Sequence, residues 1–294
     1  MILLTGATGT LGTPLLSRLV GTGEQVRVLV REPRRLGPHR VQVQIAVGNL
    51  ADRHGFDKAV RGVDTVVHMA ASTRDQARGT IEELNGLGTL RLLAAARRAG
   101  VKRFVYVSSL EASSASRSRY IRTQALARDA VLESGIDPLL FEASIIYAAG
   151  DPWLGLVEKL SHLPVMPVPG DGKTRYQPIW ADDAADALAA AVLTGVTTVG
   201  RDPIALVGPE TLTHDQILKT VMRHHDRRKP LLHLSAKTTK RLLDLGENWF
   251  GAAAPATWDQ AAMMFSSAVS PRGTADLKEL GVEPLPIGDV LPVR

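Results

Sequence analysis

The chain has no cysteine among its 294 residues, which excludes disulfides, thiolate metal sites and cysteine nucleophiles together. Aromatic residues make up only 4%, so each tyrosine and tryptophan is scarce enough to be weighed singly. No apolar run approaches the roughly 18 to 20 residues that a membrane-spanning helix requires. The opening MILLTGATG has neither a basic leader nor a small-residue cleavage site; it reads as a first strand, and a cytoplasmic location is the default expectation. Histidines number eight, and the adjacent pair His224 and His225 shares no helix face and has no acidic residue four positions on. That pair reads as a solvated basic helix end, and no metal site is expected. The formal charge of +5 is spread along the chain without aromatic interleaving, so nucleic-acid binding is not expected.

What is present points to a globular α/β protein. The hydrophobic fraction is 45% and the mean hydropathy +0.01, enough for a sizeable core at this length. The runs ILLTG, VRVLV, VQVQIAV, TVVHMA and FVYVSS alternate with helical patterns through the first two thirds. That alternation predicts βαβ units, a parallel sheet with right-handed crossovers, and helices on both faces. IEELNGLGTLRLLAAARRAG reads as one helix ending at Gly100 after basic residues. After about residue 148, SHLPVMPVPGDGK crowds proline and glycine into what reads as a loop. ADDAADALAAAVL then offers Asp182 or Asp183 as the cap of an alanine-rich helix.

TGATGTLG, residues 5 to 12, follows the first strand and opens a helix. Gly6, Gly9 and Gly12 there permit a tight turn and close backbone approach to a pyrophosphate, while the helix start supplies free amides. The second strand ends at Val30, where an acidic residue would bind a ribose 2′-hydroxyl and an arginine a 2′-phosphate. Arg31, followed by Arg34 and Arg35, favours NADP(H); Glu32 keeps NAD(H) possible, and solvated surface arginines are the plainer alternative.

These segments resemble the short-chain dehydrogenase/reductases, in particular extended and atypical members of the NAD-dependent epimerase/dehydratase kind. That group includes proteins like the complex I accessory subunit and like regulators of nitrogen metabolism. The likeness rests on TGATGTLG, VDTVVHMAA (63–71), NGLGTLRLLAAARRAGVKRFVYVSS (85–109), Tyr120, SIIYAAGDPW (144–153) and RYQPIWADDAADAL (175–188), in order along most of the chain. It implies a Rossmann-type doubly wound parallel sheet in residues 1–150. A smaller, mostly helical substrate subdomain would follow in 151–294, with about 173–207 returning to the sheet.

The resemblance also implies roles. Gly6, Thr8, Gly9, Thr10, Leu11 and Gly12 would hold the pyrophosphate, and Arg31 the 2′-phosphate. Asn49, where the family usually has aspartate, would meet the adenine beside Leu50, and Ala70 and Ala71 would line the nucleotide. Ser108 or Ser109 and Tyr120 would bind a substrate carbonyl, the tyrosine passing it a proton as hydride arrives. The family's lysine four residues after that tyrosine is Gln124 here, which can hydrogen-bond a ribose but brings no charge to a phenol of ordinary pKa about 10. Arg128 stands one further turn along the same helix face.

Two further departures are Glu142 and Ala143 in place of arginine and proline, and Ala148 and Ala149 in place of glycine and proline. Glu142 is a candidate acid or base, or a surface carboxylate; Tyr147, Trp153, Tyr176 and Trp180 are candidate substrate walls or packing residues. The expected activity is NADPH-dependent reduction of a small carbonyl or conjugated compound by a monomer or homodimer. The alternative is a non-catalytic NADP(H)-binding sensor, regulator or complex subunit.

Overall fold

The computed structural model describes residues 1–52, 55–196, 198 and 202–291. Strands β1 (Ile2–Thr5), β2 (Val26–Val30), β3 (Gln44–Val47), β4 (Thr65–His68), β5 (Arg103–Ser109) and β6 (Asp137–Ala143) alternate with helices α1 (Gly12–Gly21), α2 (Phe56–Ala59), α3 (Gly88–Arg98) and α4 (Arg119–Leu132). Beyond them lie β7 (Ile146–Tyr147), α5 (Pro152–Leu160), β8 (Met166–Pro169), β9 (Arg175–Tyr176), β10 (Ile179–Trp180), α6 (Ala181–Thr194) and β11 (Ile204–Leu206). The chain then forms β12 (Leu212–Thr213), α7 (His214–His224), β13 (Leu231–Leu234), α8 (Ala236–Phe250) and α9 (Trp258–Met263). The short helices α10 (Ala275–Glu279) and α11 (Ile287–Val290) come last.

The seven-stranded sheet runs β11-β6-β5-β4-β1-β2-β3, and every pairing in it is parallel. Successive strand residues point to opposite faces, which splits the core. Leu4, Val28 and Val67 pack with Leu15, Leu16 and Leu19 of α1 and with Ala184, Ala187 and Leu188 of α6. Leu3, Val66 and Phe104 pack on the other face with Leu92 and Ala96 of α3 and Val131 of α4. A third cluster joins Tyr147, Tyr176, Ile217, Leu218 and Ile287 in the C-terminal layer. Each fully buried leucine contributes roughly 1.5–3 kcal/mol. Within the 173–207 stretch, α6 lies against α1 and β11 pairs with β6; residues 197 and 199–201 lie outside the described residues.

Local structure departs from expectation in four places. VQVQIAV becomes a strand only from Gln44, because a 3₁₀ segment (Pro33–Val41) runs into it and the edge position leaves Val41 and Val47 in solvent. SHLPVMPVPG contains β8, paired in parallel with β13. Its prolines alternate: the amides of Met166 and Gly170 donate to the Pro230 and Leu234 carbonyls, while Pro167 and Pro169 need no partner on an edge. The cap of α6 is Trp180, which makes no side-chain bond. Asp182 and Asp183 instead sit inside the first turn, favourably placed against the helix dipole, where they hold Arg18 and the Leu285 amide. The helix ending at Gly100 opens with a π-helical turn at Glu82–Leu87. No helix among the described residues is long and apolar enough to cross a membrane.

Candidate functional site

The chain leaves β1 in one direction and, after β3, crosses to β4 on the other side, so the carboxyl ends of β1 and β4 flank the switch point of the sheet. There the TGATGTLG turn is compressed from two sides. Gly6 has φ +79°, and a Cβ on it would stand 2.8 Å from the Ala70 amide nitrogen. A Cβ on Gly12 would overlap the Gly6 carbonyl oxygen. The turn is closed by the Gly9 amide donating to Gly6 O at 2.9 Å. No side chain caps α1 at Leu11; the Thr13 amide is bonded to the Gly9 carbonyl at 3.1 Å and Pro14 has no N–H, so it is the positive dipole end of α1, with the backbone of the turn before it, that fits a pyrophosphate.

Under this turn lies a buried histidine. Thr89 Oγ1 donates to the Asn85 carbonyl at 2.6 Å and so accepts from His68 Nε2 at 2.9 Å. That leaves His68 Nδ1 to accept from Thr5 Oγ1 at 2.6 Å. Both ring nitrogens are used in one neutral tautomer, and burial pushes the His68 pKa down to about 4. The network ties β1, β4 and α3 together beneath the cradle. Asn85, in the π-helical turn, bonds both the amide (2.8 Å) and the carbonyl (2.9 Å) of Ser72, fixing the Ala70–Ala71 exit of β4.

Beyond the end of β2, Arg31, Glu32, Arg34 and Arg35 are all exposed. Asn49 turns its side-chain oxygen back to the Ala51 amide at 3.2 Å, an Asx turn, so only its NH₂ group is left for a ligand. Leu50 follows, half-buried against Gly88.

At the start of α4, Ser118 caps the helix and Tyr120 sits in its first turn. Burial, and secondarily the charge of Glu111, push the Tyr120 phenol up to about 12. Gln124 is buried, and its Oε1 accepts from the Tyr106 hydroxyl at 2.7 Å, so its oxygen is committed to the sheet and not to the crevice. Arg128 is engaged by Asp129 and by Glu142 at 3.3 Å, and it donates to the Ala112 carbonyl at 3.4 Å. Burial raises the Glu142 pKa and Arg128 opposes the rise. Ser108, opposite Glu142 in the sheet register, has a buried hydroxyl without a hydrogen-bond partner among the described residues.

Ser109 Oγ accepts from the Glu111 amide at 3.3 Å. Glu111 was not singled out from sequence; the available signal was a lone carboxylate two residues past the end of β5 in SSLEASS. Tyr147 and Tyr176 are fully buried and belong to the C-terminal core, with Trp153 and Trp180 packed against the same cluster. The Tyr176 hydroxyl faces Thr174 without forming a hydrogen bond of normal geometry. Among the described residues no group of acidic and histidine side chains is placed to hold a metal ion.

A parallel sheet with a glycine turn at its switch point and a helix-borne tyrosine beside the end of β5 defines a dinucleotide-binding α/β protein. A family model described as NAD(P)H-binding matches residues 6–137. Over 222 residues the chain is 33% identical to the (4-alkanoyl-5-oxo-2,5-dihydrofuran-3-yl)methyl phosphate reductase of Streptomyces griseus, covering 72% of this chain and 70% of that one. It is 32% identical over 198 residues to the ceramide reductase of Caulobacter vibrioides, covering 67% of this chain and 62% of the relative, less than two thirds of that protein's length. A solved nucleoside-diphosphate-sugar epimerase from Staphylococcus aureus superposes with a TM-score of 0.77 over 99% of both chains at 19% identity, a likeness of fold alone. The chain belongs to the short-chain dehydrogenase/reductase superfamily, an NAD(P)-binding oxidoreductase family.

Proposed function

We propose that the protein is a reductase that uses NADPH to reduce a carbonyl, or a double bond conjugated to one, in a small organic molecule. The observation that carries this reading is the placement of Tyr120 in the first turn of α4, the helix whose Gln124 is bonded to Tyr106 of the strand that ends in Ser109. Two relatives named as reductases support the direction of the reaction.

In this reading Gly6, Gly9 and Gly12, with Thr8, Thr10 and Leu11, hold the pyrophosphate. Arg31 pairs with the 2′-phosphate, Asn49 and Leu50 meet the adenine, and Ala70 and Ala71 line the nucleotide. When bound, the reduced nicotinamide supplies a hydride. Ser109 Oγ and the Tyr120 hydroxyl hold the substrate oxygen, and Tyr120 gives it a proton. A phenol raised to about 12 is a weaker acid than an ordinary one but is protonated at neutral pH, the resting form that reduction needs, whereas alcohol oxidation needs the tyrosinate. The nucleotide is carried mainly by residues 1–150, and the part from 151 onward closes the substrate side.

Calorimetric titration with NADPH, NADP⁺, NADH and NAD⁺, followed by loss of reduced-nicotinamide absorbance with a panel of ketones, aldehydes and enones, tests the reading. Preference for both NADP forms together with turnover of any carbonyl supports it; no nucleotide binding refutes it. A second reading, a nucleotide-sensing regulator or subunit, is favoured by one feature: Gln124 is bonded to Tyr106 and supplies no cation beside Tyr120. Strong preference for a single redox form without turnover would select that reading.

A further inference from the structure

Helix α8 carries its apolar residues on the wrong side for a helix that packs on a soluble protein. Of its 15 residues only Thr239 is buried. Leu242, Leu245 and Trp249 stand at i, i+3 and i+7, so they share one face within about 60° around the axis. That face is turned to solvent: the three residues are 54%, 55% and 83% exposed, and Phe250, which ends the helix, is 63% exposed. The acids of the helix are used elsewhere. Asp244 holds Lys240 at 2.8 Å, and Glu247 Oε1 accepts from the Trp258 amide of α9 at 3.0 Å, with the Lys240 ammonium 5.7 Å from the centre of the Trp258 ring.

The charges left over say what covers the face. Lys237 and Arg241, themselves four apart and bordering the apolar stripe, are exposed and make no ion pair or hydrogen bond among the described residues. The free charge beside the stripe is therefore cationic only, in a chain of formal charge +5. A second copy meeting this face about a two-fold axis would bring the same cations to both sides of one interface. An anionic lipid surface complements both parts, since leucine and aromatic side chains enter the headgroup and acyl boundary while lysine and arginine stay with the phosphates. At about 22 Å the helix is too short to cross a bilayer and long enough to lie along one.

We propose that the exposed face of α8 is a docking surface for an anionic lipid bilayer. The helix stands beside the crevice, because α8 packs on α9 and α9 is tied to the carboxyl end of the sheet. Asp259 pairs with Arg119, the neighbour of Tyr120, at 3.2 Å, and Gln260 Nε2 donates to Thr73 Oγ1, just past β4, at 3.2 Å. Arg74 donates to the Ala254 carbonyl at 3.0 Å in the segment between the two helices. The surface that meets the bilayer thus adjoins the route by which an apolar substrate dissolved in it reaches Tyr120. That last step rests on the reductase reading; the docking does not.

Co-sedimentation of the full chain with vesicles of phosphatidylcholine, alone or mixed with phosphatidylglycerol, tests the proposal without nucleotide or turnover. Binding to the mixed vesicles is expected, weakening as salt rises. Lys237→Gln with Arg241→Gln should lower it about 25-fold, roughly fivefold for each cation, and Trp249→Ser with Phe250→Ser at least about tenfold. Val41→Ser, which removes an exposed apolar side chain on the far edge of the sheet, should bind like the parent. All these positions are exposed, so the variants should melt like the parent. The emission of the parent minus that of Trp249→Phe isolates one of four tryptophans; it should shift to the blue on mixed vesicles and be quenched by brominated lipid. No binding at low salt overturns the proposal, as does binding that persists without Trp249 and Phe250, which is adsorption by charge alone. A parent dimer that becomes monomeric in Trp249→Ser with Phe250→Ser and ignores vesicles gives the face to a second copy and overturns it too. Vesicle binding without turnover of any carbonyl upholds the docking and counts against the reductase reading only.

Discussion

Replacing Gly12 by alanine is the sharpest test of the nucleotide cradle, because the cost follows from distances. Besides overlapping the Gly6 carbonyl oxygen, the new methyl would stand 2.7 Å from Gly6 C and 2.8 Å from Ala7 Cα. Carbon contacts settle at about 3.5–4.0 Å, so the start of α1 has to retreat by about 1 Å from the turn. All three opposing atoms are backbone, anchored by β1 and by the Gly9–Gly6 bond, so no flexible side chain absorbs the shift. Overpacking of this kind costs about 1–3 kcal/mol of stability, a few degrees in Tm for a chain of this size. The larger effect falls on binding. Amide bonds to a charged group contribute about 1.5–3 kcal/mol each, and misplacing two of them weakens NADPH by roughly 10² to 10⁴-fold. Gly21→Ala, where a Cβ meets nothing within 4 Å, is the control, expected to bind normally and melt no lower. Calorimetry and thermal melts on the three proteins decide the matter: a Gly12→Ala protein with parent-like NADPH affinity would refute the claim that this turn is the pyrophosphate site.

Arg31→Ala should weaken NADPH by about 10- to 100-fold, the loss of one charge-assisted phosphate contact, and leave NADH unchanged; equal loss for both would remove Arg31 from 2′-phosphate recognition. His68 is held neutral with a pKa about 4 against about 6.5 when unfolded, so the unfolded chain binds more protons between those values. Stability is therefore full above pH 6.5 and falls as pH drops toward 4, by about 3 kcal/mol from this group. His214, lowered to about 4 by burial, adds a limb of the same sign. Urea unfolding at pH 7, 5.5 and 4.5 should give a shallower acid decline for His68→Gln than for the parent, and parallel declines would count against the buried neutral tautomer. Tyr106→Phe strands the Gln124 amide oxygen and should cost about 1–3 kcal/mol in chemical denaturation, with nucleotide affinity unchanged; a large loss of affinity would mean that Gln124 reaches the nucleotide after all.

The sheet was legible because its strands are buried on both faces, and such strands are written as continuous apolar runs such as VRVLV and FVYVSS. At the sheet edge that logic weakens: Val41 is apolar yet 87% exposed, and its run overstated the strand. The glycine turn was legible for a different reason, since only glycine survives where a Cβ would overlap the Gly6 carbonyl oxygen. Side-chain commitments were not legible. Spacing sets Gln124 one helical turn from Tyr120, but whether its oxygen looks into the crevice or toward Tyr106 depends on a strand 18 residues earlier. The same is true of Glu142, whose partner Arg128 comes from α4, and of Tyr176, which is packed edge-on against the His214 ring of α7.

Pattern reading compares one position at a time with an expected residue, so it registers the missing lysine at 124 as a loss. The folded chain permits a different comparison, by function instead of by position. A tyrosine that gives a proton must be protonated at rest, and burial, which raises the Tyr120 phenol to about 12, secures that form with no positive charge beside it. On this argument a Gln124→Lys substitution is not a repair: burying a second titratable group beside Tyr106 costs desolvation and breaks the Gln124–Tyr106 bond, so activity should stay level or fall. A gain of tenfold or more in kcat from Gln124→Lys would indicate that a charge beside Tyr120 was what the site lacked.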